Sequence, residues 1–183
     1  VEGALVIDDS WISPDSADPV RARDREISER PYAARLSPLA VNFSSAEIRI
    51  RPANVAGEPA LVEAAPLPCA YLHVVDCLRT VSAESAEAWS LTLEPDSTGE
   101  VARVEGTVRL GTAPVVEYRS VRDPLRYAAS LLRAFLEDAG IAFAGGISFG
   151  SAPEAAPLLL EVPSLPLRDL VDSANRYSNN FMA

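Results

Sequence analysis

Few side chains in this sequence have both the type and the spacing for chemistry. His73 is the only histidine, and all 16 basic residues are arginine, so lysine is absent. That excludes a phosphate-cradling Gly-rich loop with its lysine, a Schiff-base enzyme and a Ser-Lys catalytic pair within these residues. A single imidazole argues against a Ser-His-Asp triad and against a multi-histidine metal site. The carboxylates are scattered. Asp8-Asp9 at a strand end has the chemistry to ligate a cation, but it reads first as a strand-terminating turn. Gly145-Gly146 lacks the rest of a dinucleotide fingerprint and reads as a bulge or bend. Cys69 and Cys77 would lie more than about 25 Å apart on one straight strand, beyond disulfide reach. They read as two separate small buried residues, with an exported disulfide left open, and with one histidine they make no zinc site. The remaining local constellation is Ser178-Asn179-Asn180, directly after an amphipathic stretch. Taken alone it is a helix-capping serine with a surface asparagine.

The elements that must position these groups follow from hydrophobic period. Residues 3–8 read as a strand, and a polar Pro- and Asp-rich loop follows over 13–19. From Leu39 the pattern turns to β: Val41 and Phe43, then Ile48 and Ile50 alternating with Glu47, Arg49 and Arg51. Further strands are predicted at 60–64, 70–77, 87–94, 101–110 and 114–121, separated by turns such as Glu94-Pro95-Asp96-Ser97-Thr98-Gly99. The period then lengthens. Asp123-Pro124 is an N-cap with proline at the first helical position, and Leu125, Ala128, Ala129, Leu132, Phe135 and Leu136 recur at helical spacing until Gly140. Short strands are predicted within 141–149 and at 158–162. A second helix opens at Ser164-Leu165-Pro166, carries Leu167, Leu170, Val171 and Ala174, and stops near Arg176-Tyr177, where Ser178 caps a third.

Composition narrows the partners. The net charge is −10 and the sequence pI about 4.6, which argues against nucleic acid, whose binding runs on a cationic surface. Arg21, Arg23 and Arg25 interleave with Asp18, Asp24, Glu26 and Glu29, a solvated mixed-charge stretch. No window approaches the roughly 18 apolar residues of a membrane span. Fifteen prolines against nine glycines imply many short elements joined by fixed turns. Val1 falls in a strand and Phe181-Met182-Ala183 in the first turn of a helix, so both ends read as cut from a longer protein.

The tail, from Pro163 through Leu167-Arg168-Asp169-Leu170-Val171 to Ser178-Asn179-Asn180-Phe181-Met182-Ala183, resembles the second active-site motif, Ser-x-Asn, of penicillin-recognising serine enzymes. The order of features along the chain is similar to the D-alanyl-D-alanine carboxypeptidase/endopeptidase family of low-molecular-mass, class C penicillin-binding proteins. Gly3-Ala4-Leu5-Val6-Ile7-Asp8-Asp9-Ser10 resembles the family's strand after its Ser-x-x-Lys region. Pro31-Tyr32-Ala33-Ala34 through Leu39-Ala40-Val41-Asn42 is similar to the entry into its inner inserted domain. Val121-Arg122-Asp123-Pro124-Leu125-Arg126-Tyr127-Ala128-Ala129, with Leu136 to Ile141 and Gly145-Gly146, resembles a further family stretch.

The resemblance implies an α/β chain of α+β type. A β-rich inserted domain (37–120) nests within a mixed α/β inserted domain (1–36 plus 121–163), and 164–183 is a helical segment of the transpeptidase-like catalytic domain. It implies that Ser178 passes a proton to the leaving D-alanine, and that Asn180 positions the catalytic lysine and the substrate. The Ser-x-x-Lys and Lys-Thr-Gly motifs would then lie outside the chain, leaving it inactive alone. The parent would act on peptidoglycan peptides in the periplasm or outside the cell through an acyl-serine intermediate, with no cofactor and no metal. The competing expectation is a non-catalytic module that docks cell-wall proteins or packs against the wall.

Overall fold

The computed structural model describes residues 3–10, 30–31, 34–35 and 37–177. Trp11, the loop 13–19, the mixed-charge stretch 18–29, and Ser178 with the helix it opens lie outside the described residues.

Alternation builds the first of two three-stranded sheets. In β2 (Ser45–Arg51) the side chains of Ala46, Ile48 and Ile50 are fully buried while Arg49 and Arg51 face solvent. β2 pairs antiparallel with β3 (Leu61–Ala65) on one side and β7 (Val115–Ser120) on the other, Ile48 facing both Ala64 and Glu117. The second sheet also has three strands. Its central strand β6 (Glu100–Arg109) buries Ala102, Val104 and Val108, lies parallel to β4 (Leu72–Val81) and antiparallel to β5 (Ala88–Pro95). The β5–β6 hairpin turns on Asp96, whose Oδ1 accepts from the main-chain N–H groups of Thr98 and Gly99 at 2.6 and 2.9 Å.

The inner faces share one core. Ile48, Ile50, Leu78, Leu91, Leu93, Val104 and Val108 join Val121, Tyr127 and Leu131 in a single buried cluster. Each such aliphatic side chain stabilises the fold by about 1.5–3 kcal/mol relative to exposure. Tyr127 and Leu131 come from α1 (Pro124–Asp138), which closes this core. Asp123 caps the helix as the sequence requires: its Oδ1 accepts from the N–H of Arg126 at 3.0 Å. The deeply buried face differs from the predicted one. It comprises Pro124, Tyr127, Ala128, Ala129, Ser130 and Leu131, whereas Phe135 is exposed. Only the N-terminal half of the helix lies over the sheets, so helical spacing overstates burial beyond Leu131.

Three further expectations change. Val41 and Phe43 are not strand residues: Asn42, Phe43 and Ser44 form one left-handed turn, with φ of 49°, 54° and 56°. Main-chain bonds from Ser44 N–H to the Val41 carbonyl (2.9 Å) and from Val121 N–H to the Ser44 carbonyl (3.0 Å) hold that turn at the start of β2. The strand foreseen within 141–149 shrinks to β8 (Ile147–Phe149), parallel to β1 (Leu5–Ile7). No strand forms at 158–162, which pairs with none of the described strands. The second helix does form, as α2 (Leu167–Tyr177).

Candidate functional site

α2 delivers the chain to Ser178 and Asn180, which themselves lie outside the described residues. The Pro166 carbonyl accepts from the N–H groups of Asp169 (2.9 Å) and Leu170 (3.2 Å), which starts the helix. Asp169 in the first turn and Arg176 in the last match the helix dipole, and Arg176 reaches Asp172 one turn back at 3.3 Å. The apolar stripe Leu167, Leu170, Val171 and Ala174 is present but largely uncovered, with Leu167 75% exposed and Val171 50%. The segment before it is barer still: Leu158, Leu159, Leu160 and Val162 are 78–93% exposed. Four large aliphatic side chains are thus left exposed in one short run.

A buried polar network that sequence reasoning did not foresee fixes α1 against the second sheet. Tyr71 and Glu100, 3% and 1% exposed, meet side chain to side chain: the phenol donates to Glu100 Oε2 at 2.9 Å. The same phenol oxygen accepts from the N–H of Asp123 at 3.0 Å, and Glu100 Oε2 accepts from the N–H of Arg122 at 2.9 Å. The Tyr71 N–H donates to Ser130 Oγ at 3.1 Å, and its ring lies 5.7 Å from that of Tyr127. Burial, then the neighbouring Glu100 charge, pushes the Tyr71 phenol well above the ordinary tyrosine range, so it stays a donor at physiological pH. The available cue was Glu100 itself, an acid on the inward-facing parity of a strand.

The other sequence candidates are dispersed. His73 is exposed on β4, its Nε2 3.0 Å from Thr98 Oγ1. Both cysteines are free thiols, and they are not the two buried residues foreseen. Cys69 is half-buried, and Cys77 projects from the solvent face of β4, on the parity of His73 and Val75. Asp8 terminates its strand: Oδ1 accepts from the N–H of Ser10 (2.9 Å) and Oδ2 from that of Ala152 (2.7 Å). The Ala152 bond is the larger cause, with Ser10 adding to it, of a carboxyl pKa lowered to about 2. Gly145 and Gly146 form a bend at which a Cβ on Gly145 would lie 2.7 Å from the Gly3 carbonyl oxygen, so only glycine fits. No described His, Cys, Asp and Glu side chains group in threes or more as a metal site would need. No described helix is long and apolar enough to cross a membrane.

One cavity stands apart from these. A slot of about 450 Å³ opens between β3 and β4, lined by Val62, Ala64, Cys69 and Val74 with Arg49, Glu63 and His73 at its polar positions.

Comparison with known proteins bears on the whole chain. The profile of the D-Ala-D-Ala carboxypeptidase 3 (S13) family matches residues 1–183. A D-alanyl-D-alanine carboxypeptidase of Actinomadura sp. (strain R39) is 28% identical, over 98% of this chain and 34% of its own length. Among solved structures, penicillin binding protein 4 (dacB) from Haemophilus influenzae superposes with a TM-score of 0.61 at 17% identity, over 98% of this chain and 39% of that one. Its complex with a novel beta-lactam gives 0.55 at 20% identity, over 80% and 33%. The two structures share the mixed α/β fold. The chain spans about a third of the length of the curated relative it matches.

Proposed function

The chain belongs to the D-Ala-D-Ala carboxypeptidase 3 (S13) family, and from that membership we propose that it is the part of a serine-type D-Ala-D-Ala carboxypeptidase or endopeptidase that carries the second active-site motif. The single observation that supports this most is the family match through Ala183, which takes in Ser178 and Asn180 directly after an amphipathic helix. In this reading the parent cleaves the terminal D-Ala-D-Ala bond or a peptide crosslink of peptidoglycan, in the periplasm or outside the cell. The Ser178 hydroxyl passes the proton to the departing D-alanine nitrogen, and the Asn180 amide orients the catalytic lysine and the substrate main chain. With no lysine in its sequence, this chain alone has no acylation machinery.

Residues 164–183 then form part of the catalytic domain, and 1–163 make up the two inserted domains, the inner one spanning 37–120. The bare run Leu158–Val162 and the Leu167–Val171 face of α2 support this assignment. An apolar surface of that kind packs against the portion of the parent beyond these residues.

Acylation of the longer protein by a fluorescent penicillin tests the reading. Asn180→Ala and Ser178→Ala are expected to slow acylation or deacylation by about 100-fold or more, the scale of a lost proton relay or positioning group. Unchanged rates in both variants would overturn the roles assigned.

A further inference from the structure

The slot between β3 and β4 is made by a ladder that parts. Residues 57–60 run beside the end of β4, with the Ala60 N–H donating to the Leu78 carbonyl at 3.0 Å and the Thr80 N–H to the Glu58 carbonyl at 2.9 Å. Beyond Ala60 the two strands separate: β3 joins β2, and β4 joins β6. They meet again only where the Cys69–Leu72 bridge closes the connecting turn, with the Leu72 N–H on the Cys69 carbonyl at 3.3 Å.

Strand alternation says which main-chain groups the gap leaves open. Ala60 and Leu78 point theirs at each other, so among the residues lining the slot Val62 and Ala64 on β3 and Val74 on β4 point theirs into it. No described main-chain partner satisfies these three residues there. Two facing edges with free N–H and C=O groups form a template for an added strand. The floor suits apolar side chains, since Val62, Ala64, Cys69 and Val74 are core-facing yet only partly buried. The rim carries charge of both signs. Arg49 engages Glu47 through its ε-nitrogen at 2.8 Å, Glu63 meets an Arg51 amino group at 3.5 Å, and Arg49, Glu63 and His73 all line the opening.

We propose that this slot is a peptide-binding site, separate from the Ser178–Asn180 motif, that takes a short extended zwitterionic peptide between β3 and β4. Arg49 and His73 hold a carboxylate of the peptide, and Glu63 holds an ammonium. β3 has five residues, roughly 17 Å of strand, and the slot is closed at both ends, so it admits about three or four residues. The volume falls within the range of small-ligand sites, about 300–1,000 Å³. The proposal rests on the family reading only for the source of the peptide. Peptidoglycan stem peptides are short and carry both carboxylates and a free amine.

The test is a titration of the isotopically labelled chain with the synthetic tripeptide L-Ala-γ-D-Glu-L-Lys, followed by amide NMR. Shift changes and slowed hydrogen exchange are expected at Val62, Ala64 and Val74. Arg49→Ala, an exposed position, is expected to weaken binding by about tenfold with the rest of the spectrum unchanged. N-acetylation and amidation of the peptide are expected to do the same. No shifts at millimolar peptide, shifts centred elsewhere, or equal binding by Arg49→Ala and by the blocked peptide would each overturn the proposal. These readouts are independent of penicillin acylation, so a failed slot and a failed catalytic reading are told apart.

Discussion

Tyr71 and Glu100 are tied together twice, by main chain and by side chain. The Glu100 N–H donates to the Tyr71 carbonyl at 2.8 Å, and the Tyr71 phenol donates to Glu100 Oε2 at 2.9 Å. The first bond starts the β4–β6 ladder, and the second extends to the N-terminus of α1 through the N–H groups of Arg122 and Asp123. Tyr71→Phe keeps the ring and removes one donor and one acceptor from a buried network. It is expected to destabilise the fold by about 2–3 kcal/mol, read from urea denaturation. A loss below about 0.5 kcal/mol would show that the network does not hold the helix.

Gly99 lies against the same residue. A Cβ there would run into the Tyr71 carbonyl oxygen and ring, and the obstacle includes main chain that cannot swing aside. Gly99→Ala is expected to cost about 2 kcal/mol or more and to broaden the Tyr71 and Tyr127 ring resonances, since the hairpin has to move off the core. A thermal midpoint equal to that of the parent chain would contradict this.

Acid should loosen the edge where β1 meets the loop at Ala152. The Asp8 carboxyl has its pKa lowered from 3.8 to about 2 in the folded chain. Its contribution is therefore fully present above the unfolded value and is lost as pH falls through the folded one. Between pH 4 and pH 2, amide exchange at Ser10 and Ala152 is expected to rise in the parent chain. In Asp8→Asn it should be fast and independent of pH in that window after correction for intrinsic rates. The same profile in both proteins would remove Asp8 as the cause.

How much was legible depends on whether an element is specified locally. The β2 alternation of Glu47, Ile48, Arg49, Ile50 and Arg51 names its own buried face, and Asp123-Pro124 names its own helix start. Leu158-Leu159-Leu160 carries an apolar run that reads as strand, yet a strand needs a neighbour, and this segment pairs with no described strand. Asn42-Phe43-Ser44 reads as strand by composition but turns left-handed because its bonds go to Val41 and Val121. The Tyr71–Glu100 pair spans 29 positions and carries no periodic signal. The proposed site residues Ser178 and Asn180 come from the tail's resemblance to a Ser-x-Asn motif and lie outside the described residues, whereas the β3–β4 slot arises from a ladder that parts, which no spacing rule encodes.

The apolar face around α2 yields a further expectation. Leu159→Glu with Leu160→Glu touches nothing packed in this chain, so its stability is expected to change by no more than about 0.5 kcal/mol. In the longer protein the same pair would put two charges into a packed interface. A lower unfolding midpoint and slower penicillin acylation are expected there. An equal loss in both contexts would mean that the segment packs within these 183 residues instead.

The account as a whole turns on whether Ser178 and Asn180 belong to a penicillin-acylated centre whose nucleophile lies beyond this chain. The most direct measurement is covalent labelling by a fluorescent penicillin, with this chain and the longer protein followed side by side by intact mass. The prediction is one equivalent of adduct on the longer protein and none on this chain. Stoichiometric labelling of this chain, or no labelling of the longer protein, would contradict it.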